Sequence, residues 1–463
     1  MKRRTALVLA AALTAVLTYS MAASPSKQND DKNDSNFLGS AERNSDKIID
    51  QGRNIFRFDT FGDEAFWGDQ LHLHQAINTL TPSQALSLGL KVDVDALPSS
   101  TVEAIKHGKV NLNDPKVTLA LIRANAVLGV VGSFNDDETL KSVGLTCAVC
   151  HSTVDDSLAP GIGKRIDGLG NRDLNVGVII AAAPNLQPVV GLLQLADSSI
   201  NDATVRRVLR SWGPGRFDAE LFLDGKAFNP QQVTNGIVTA TNVPGATLIP
   251  NARGLVGHNL HTWTGGWGTV TYWNAFVAVL ELHGKGTFFD ERFDNADQFP
   301  IAARANLGHI STNPDDDQVT SKLGPLQFYQ LSLPAVQPRP NVDFDPNAAK
   351  RGDELFSGKA NCNSCHREPL WSEPGWNQHS ASEMKIDDFE AERAPGHAYQ
   401  TVNLAGIFVR EEGLFMQPAN KGRFYHDGRF KTLLDVVNSY DERFDLHLTQ
   451  PEKLDLVEYL KSL

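Results

Sequence analysis

The sequence is poor in cysteine and has no apolar run long enough to cross a membrane. Only 4 of its 463 residues are cysteine, which excludes a small fold held together by many disulfides. The longest apolar run covers residues 6–17, whereas a membrane helix needs roughly 18 or more apolar residues. Basic residues are also in the minority, with 43 Lys and Arg against 55 Asp and Glu. The net charge of −12 argues against nucleic acid as a partner.

The N-terminus has the three parts of an export signal. Basic residues at positions 2–4 precede the apolar run, and small residues follow it at Ser20 and Ala22. We therefore predict a signal peptide over residues 1–22, with an uncleaved membrane anchor as the alternative. Residues 23–45 are polar and charged, which predicts a disordered leader. The mature protein is then expected in the periplasm or secreted, with no membrane span after cleavage.

All four cysteines lie in two Cys-x-x-Cys-His motifs. The first motif consists of Cys147, Cys150 and His151, and the second consists of Cys362, Cys365 and His366. Disulfide exchange, zinc binding and covalent haem attachment all use such pairs. A disulfide within either pair would close too small a loop to stabilise much, and a zinc ribbon places its two pairs much closer together in sequence.

Covalent haem accounts for more of this pattern than the other two chemistries. The two thiols would bind the vinyl groups of one porphyrin, and the histidine that follows would ligate the iron. Two complete motifs behind an export signal leave no thiol unused. We predict two covalently bound haem c groups, attached through Cys147, Cys150, Cys362 and Cys365 and ligated by His151 and His366. Zinc or disulfide chemistry remains the alternative.

The pattern along the chain predicts a mainly α-helical fold with two c-type haem domains. The N-terminal domain, residues 46–332, is enlarged by insertions. A Pro-rich linker, residues 333–346, joins it to a C-terminal domain of class I cytochrome c type, residues 347–463. These boundaries assign one motif to each domain.

Local signals predict several individual elements. Asp114-Pro115 is typical of a helix start, and two apolar stretches around Asn-Asp-Asp-Glu predict a β-hairpin before the first motif. Thr449 is the expected N-cap of the last helix. That helix is expected to cross the helix before the second motif, with Gly352 allowing close approach to Tyr459.

The C-terminal part, from Arg351 onward, resembles the end of the bacterial dihaem cytochrome c peroxidase superfamily. The stretches "YQTVNLAGIF" and "GRFYHDGRFKTLLDVVNSYDERF" carry the resemblance. That superfamily includes MauG-like enzymes and, more distantly, dihaem rubber oxygenases. The resemblance implies a peroxidase- or MauG-like oxidoreductase with a catalytic N-terminal haem and an electron-transfer C-terminal haem. Its expected partners are a soluble redox protein or a small oxidant such as peroxide or O2.

Two other functions stay open from the sequence. One is a non-catalytic electron-transfer cytochrome, and the other is a haem dioxygenase of an apolar substrate. The N-terminal part departs from the superfamily, because the two motifs lie further apart than in a typical peroxidase and the distal glutamate motif has no clear counterpart.

The resemblance also implies an axial ligand for the second haem. In the superfamily this ligand lies fourteen residues after the histidine of the His-Asp-Gly turn, and it is methionine in peroxidases and tyrosine in MauG-like enzymes. Here the turn histidine is His426 and the ligand position is Tyr440. A buried aromatic residue with a satisfied hydroxyl is the alternative for Tyr440. Met416, His426 and His447 are rival ligands.

The segment "GHNLHTWTGGWGTVTYWNAFVAVLELHG" is rich in tryptophan and histidine. Such side chains relay electrons, ligate iron or act as acids and bases, although most are ordinary core residues. The candidates for a distal pocket or an inter-haem layer are His258, His261, Trp263, Trp267, Trp273, Glu281 and His283.

Two loops have further candidate roles. The glycine-rich stretch "PGIGKRIDGLGNRDLN" contains three basic residues and is expected either to surround haem propionates or to be a solvated loop. The acidic loop from Asn313 to Gln318 is a candidate Ca²⁺ site. Its spacing lacks the EF-hand pattern, so a solvated turn is the alternative.

Overall fold

The first helix begins inside the predicted leader. The computed structural model describes the backbone of residues 30–463 and the side chains from residue 38 onward, so the predicted signal peptide lies outside the described residues. A helix spans Asp30–Phe58, whereas composition predicted disorder through residue 45. Extending an existing helix costs far less than nucleating one, and residues such as Ala41 and Glu42 favour the helical state. None of the described helices is long and apolar enough to span a bilayer.

The described chain divides into two compact units, one that ends at Asp50 and one that covers Gln51–Leu463. Both motifs and the predicted linker lie in the second unit, where the chain between Ser332 and Pro346 is irregular. The predicted boundaries between the haem domains stay predictions. About 42% of the residues are helical and little of the chain is in sheet, which confirms a mainly α-helical fold.

The second unit is built from short helices. Its α-helices are Leu73–Ile77, Pro82–Ser87, Ser99–Lys106, Pro115–Arg123, Cys147–His151, Val176–Ile180, Gln187–Leu193, Asp202–Ser211, Leu221–Asp224, Val270–Phe276, Pro300–Ala305, Leu323–Ser332, Pro346–Ser357, Ala381–Met384, Phe389–Glu392, Phe408–Glu412, Leu433–Phe444 and Gln450–Ser462. The 3₁₀ turns are Val94–Ala96, Glu291–Asp294, Thr320–Lys322, Cys362–Ser364 and Pro418–Asn420. The π-helical turns are Ala65–Gln70 and Val277–Glu281.

The described strands form two-stranded pairs only. Val92–Asp93 pairs in parallel with Ile162–Gly163. The antiparallel pairs are Val130–Phe134 with Leu140–Leu145, Ser152–Val154 with Arg165–Asp167, Arg216–Phe217 with Thr247–Leu248, Phe228–Asn229 with Val243–Pro244, Gln232–Thr234 with Ile237–Ala240, and Phe288–Phe289 with His309–Ile310. The first antiparallel pair confirms the predicted hairpin, which places Val130 opposite Leu145, close to the first motif.

The predicted helix starts are confirmed by their caps. The Asp114 carboxylate accepts a hydrogen bond from the backbone N–H of Lys116 at 3.0 Å. Thr449 and Glu452 form a capping box, in which each side chain accepts a hydrogen bond from the other residue's backbone N–H. Both devices satisfy N–H groups that lack partners within the helix.

Two apolar cores lie beside the two motifs. The larger core surrounds the first motif and includes Leu71, Val143 and Trp212, with Cys150 packed against it. The smaller core packs the last helix against the helix before the second motif, with Cys362 at its edge. The helices Pro346–Ser357 and Gln450–Ser462 cross at Gly352, as the sequence predicted. A Cβ at this glycine would lie 2.1 Å from the backbone oxygen of Asp455.

We expect Gly352→Ala to lower the free energy of unfolding by about 1–3 kcal/mol, because the added methyl group forces the crossing helices apart. The matched control is Gly191→Ala in the helix Gln187–Leu193, where an added Cβ meets no atom within 4 Å. This change is expected to be neutral or to stabilise by up to about 1 kcal/mol, because alanine favours the helix. Urea unfolding measures both, and equal effects of the two substitutions would contradict the crossing contact.

Candidate functional site

Both motifs border one cavity. Its volume is about 1130 Å³, which is larger than the roughly 300–1,000 Å³ of ordinary cofactor sites. The wall is mostly apolar, and all four cysteines and both motif histidines contribute to it. One space of this size has room for a cofactor at each motif.

The first motif forms one turn of α-helix, Cys147–His151, directly after the hairpin. The Thr146 hydroxyl caps this turn by accepting from the backbone N–H of Ala148 at 3.3 Å, and it donates to the backbone oxygen of Arg57 at 3.1 Å. Burial raises the pKa of both thiols to about 12, so they are protonated at neutral pH. Nδ1 of His151 lies 3.1 Å from the backbone oxygen of Pro250.

The second motif begins with the 3₁₀ turn Cys362–Ser364. The backbone N–H of His366 donates to the oxygen of Cys362 at 2.9 Å, which holds the histidine one turn after the first cysteine. Nδ1 of His366 lies 2.9 Å from the backbone oxygen of Trp371. Burial raises the pKa of the Cys362 thiol to about 12.

The two motif histidines have the arrangement that haem iron requires. A backbone carbonyl beside Nδ1 selects the tautomer that carries its proton on Nδ1, which leaves the lone pair of Nε2 for a metal. For His151, no hydrogen bond to the ring besides the one with Pro250 is found among the described residues. The ring of His366 has a further hydrogen bond with the backbone of Val402. All four thiols are free, and they lie on the same cavity wall as the imidazoles. The donor set therefore fits a haem at each motif.

A zinc ion fits less well. Among the described residues, the one group of three metal-binding side chains is Cys365, Glu373 and His379, whose ligand atoms lie within 4.8 Å of one another. Burial raises the pKa of the Cys365 thiol, which disfavours the thiolate that zinc binds. His379 is also held already, by Glu373 at 2.6 Å and by Glu383 at 2.9 Å.

Glu281 and His283 lie on the cavity wall at the end of a π-helical turn. Oε1 of Glu281 is buried without a hydrogen-bond partner among the described residues. Burial and the charge of Glu220 raise the pKa of Glu281 well above its ordinary value. His283 stacks on Phe66 of the other π-helical turn, with ring centroids 3.6 Å apart, and the surrounding protein lowers its pKa to about 4.

The other candidates from the tryptophan-rich segment divide into two groups. His258, His261, Trp263 and Trp273 line the cavity, whereas Trp267 does not. Burial lowers the pKa of His261 to about 4. The indole N–H of Trp267 donates to Glu220 at 3.1 Å, so this tryptophan is a buried residue with a satisfied polar atom.

Tyr440 borders the cavity together with His366, as do Met416 and His426. The Arg443 guanidinium lies 4.3 Å above the Tyr440 ring. Met416 packs instead with Leu169, in the loop after the first motif. His426 is buried and stacks on Tyr399, with ring centroids 5.1 Å apart.

The structure does not bring His447 to the cavity. Its side chain is 79% exposed, and Nδ1 lies 3.5 Å from Asp445. In the acidic loop, the Asp317 carboxylate accepts hydrogen bonds from the backbone N–H groups of Val319 and Thr320 at 2.8 Å, as in an ordinary turn.

Sequence reasoning did not single out several residues of the site. Arg410 and Met384 line the cavity. Asp63 is fully buried beside the first motif, where it accepts from the backbone N–H of Leu145 at 3.1 Å, and burial raises its pKa to about 9. Arg172 lies in the glycine-rich loop that was expected to surround propionates, and it also borders the cavity. No local pattern marks Arg410, Met384 or Asp63, because long-range folding places them.

Comparison with known proteins finds distant relatives, and no family model matches the chain. The cytochrome-c peroxidase IdrP1 of Denitromonas iodatirespirans is 29% identical over 154 residues, which is 25% of this chain and 40% of that relative. This match supports the predicted superfamily in part. The chain thus spans less than half of the relative's length.

Two solved structures share a weak likeness with the chain. Hydrazine synthase of Kuenenia stuttgartiensis has a TM-score of 0.31 and 17% identity, and the match covers 53% of this chain and 86% of that one. A MauG-like protein associated with microbial copper homeostasis has a TM-score of 0.30 and 15% identity, covering 53% and 81%. Scores of this size do not establish a shared fold.

We expect the chain to carry two covalent haems when a host with haem c attachment exports it. Replacing Cys147 and Cys150 by alanine should leave one haem, because the second motif keeps its thioether bonds. Replacing Cys362 and Cys365 should likewise leave one haem. Intact mass and the pyridine haemochrome spectrum count the haems after denaturation. A wild-type chain that contains zinc and no covalent haem would contradict the assignment.

Proposed function

We propose that the protein is an exported dihaem oxidoreductase of the peroxidase or MauG type. Its N-terminal haem, ligated by His151, would be catalytic, and its C-terminal haem, ligated by His366, would transfer electrons. The observation that carries the proposal is the single cavity bordered by both motifs, because haems attached at both motifs would share one space. The match to a cytochrome-c peroxidase supports the same reaction class.

A haem held by Cys147, Cys150 and His151 would supply a redox-active iron that reacts with peroxide or O2. The surrounding side chains would move the protons. His283, with its pKa lowered to about 4, is neutral at pH 7 and accepts a proton at a ring nitrogen. The raised pKa of Glu281 favours its protonated form, which donates one. Two groups whose pKa values are pushed apart in this way suit general acid–base catalysis.

The apolar wall has a separate role in this proposal. Side chains such as Leu71 and Val149 exclude water near the first motif, which strengthens the electrostatic effect of each charged group that remains. On the side of the second motif, Arg443 stacks on Tyr440 and fixes the orientation of the phenol ring. Together with His366, Tyr440 would hold the iron of the C-terminal haem.

The same proposal includes export to the periplasm or secretion. The predicted covalent haem attachment and the predicted N-terminal signal both favour a location outside the cytoplasm. The electron partner would be a soluble redox protein. With a net charge of −12, the chain favours a partner with a basic surface.

A haem dioxygenase of an apolar substrate is the second candidate. The observation that favours it is a group of apolar side chains on the cavity wall that belongs to neither motif, namely Ile105, Leu112, Val117 and Leu121. Analysis of the oxidised products would separate it from a peroxidase.

We expect the oxidised protein to give a high-spin ferric EPR signal beside a low-spin one, because an open coordination position weakens the ligand field at one iron. Added hydrogen peroxide should remove the high-spin signal and leave the other in place. The control is the same spectrum at half reduction, which detects a site that opens only in that state. Two low-spin signals that ignore peroxide in both states would identify an electron carrier instead.

Glu281→Gln should slow the reaction with peroxide by about 10²–10⁴-fold, because the amide cannot donate the proton. In the wild type the rate should fall as the pH rises through the raised pKa of Glu281, since the active form is protonated. This alkaline limb should be absent in the variant. Stopped-flow rates across pH measure both effects, with the exposed Glu103→Gln as the matched control. A variant that keeps both the wild-type rate and the alkaline limb of the pH profile would show that Glu281 is not the proton donor.

A further inference from the structure

Four arginines meet near the first motif. Arg172 is 5% exposed, and no described residue accepts a hydrogen bond from its Nη1 or Nη2. Burial, together with the charges of Arg410, Arg423 and Arg216, lowers the pKa of Arg172 well below its ordinary value. The nearby side-chain charges that act on the Arg172 guanidinium are therefore all positive.

Among the described residues, the side chains of Arg216 and Arg423 donate hydrogen bonds, whereas none is found from the side chains of Arg172 and Arg410. Arg216 donates from Nη2 to the backbone oxygen of Asp427 at 2.8 Å, and Arg423 donates from Nη1 to that of Pro214 at 2.9 Å. The guanidinium carbon of Arg410 lies 5.6 Å from the ring centroid of Trp263 and 5.8 Å from that of Phe424. Arg172 and Arg410 both lie on the cavity wall.

The acidic side chains near this cluster are already engaged. The Asp173 carboxylate accepts from Lys91 and from the side chain of Asn420, both at 2.6 Å. The Asp427 carboxylate accepts from Arg429 at 2.9 Å. Arginine keeps its charge in proteins, and a buried charge without a partner is strongly destabilising. The cluster therefore requires anions that the described chain does not supply.

We propose that Arg172 and Arg410 bind the propionate carboxylates of the haem attached at Cys147 and Cys150. A guanidinium binds a carboxylate through two parallel hydrogen bonds, and this pairing would satisfy the free donors of Arg172. The inference rests on the haem attachment of the proposed function and is independent of the reaction with peroxide.

The loop that carries Arg172 is tied to the motif by its backbone. The N–H of Gly168 donates to the oxygen of His151 at 2.7 Å, and the N–H of Asn171 donates to that of Cys150 at 2.8 Å. Arg410 comes from the helix Phe408–Glu412, far along the chain. One haem would therefore be bound by both the N-terminal and the C-terminal parts of the chain.

The experiment is a redox titration of the holoprotein with Arg172→Gln. Loss of the positive charge should lower the midpoint potential of one haem, because a nearby positive charge destabilises ferric iron relative to ferrous iron. The propionate left without its partner should then take up a proton near neutral pH, so the midpoint should become dependent on pH between about 5 and 8. The resonance Raman band of propionate bending should shift as well. Arg172→Lys, which keeps the charge, should restore most of the potential.

The matched control is Arg351→Gln on an exposed helix face, which should leave both midpoints unchanged. Midpoints in Arg172→Gln equal to those of this control would overturn the inference. If Arg172→Gln does not fold, the Raman spectra of Arg172→Lys and Arg410→Lys decide, and an unshifted propionate band in both overturns it.

A free carboxylate in the cavity would offer the same chemistry as a propionate, and added acetate distinguishes the two. Wild-type midpoints that do not change with acetate concentration support the propionate. Midpoints that follow acetate concentration would overturn it. A chain purified without covalent haem would overturn both this inference and the proposed function, whereas a chain with two haems and unchanged midpoints would overturn only the inference.

Discussion

The site depends on the hydrogen bond between Nδ1 of His151 and the backbone oxygen of Pro250, a residue 99 positions away. That carbonyl fixes the ring tautomer and presents Nε2 to the cavity. The segment around it is anchored in turn, because Asn251 accepts from the backbone N–H of Gly170 at 3.1 Å and the N–H of Ala252 donates to Gly168 at 2.7 Å. The first motif, the loop after it and the middle of the chain therefore form one hydrogen-bonded network.

The two motifs have unequal surroundings. The first is packed against the large apolar core, whereas the second is packed at the edge of a small core. A less polar environment disfavours the more highly charged oxidation state of a metal centre. The chain thus provides two different electrostatic environments within one cavity. Two redox groups bound there would differ in their reduction potentials.

Sequence alone predicted the features that depend on short-range chemistry. The motifs, the cap at Asp114, the hairpin and the close approach at Gly352 each depend on a few neighbouring residues or on one helix crossing. The sequence did not indicate that the Pro250 carbonyl contacts His151, or that Arg172 and Arg410 lie near each other. Both contacts join segments that are distant in sequence and meet only in the folded chain. The predicted disorder through residue 45 differs from the structure since composition ignores helix propagation.

The two π-helical turns determine which side chains face the cavity. They contact each other directly, through the indole N–H of Trp67 and the backbone oxygen of Leu282 at 3.1 Å. A π-helical turn contains one more residue than an α-helical turn, and one residue rotates everything that follows by about 100° around the helix axis. The orientation of Glu281 and His283 thus depends on a single inserted position. In a chain without this extra residue, a different side chain would occupy the same wall, so the chemistry of this cavity can change through a change in chain length without any substitution.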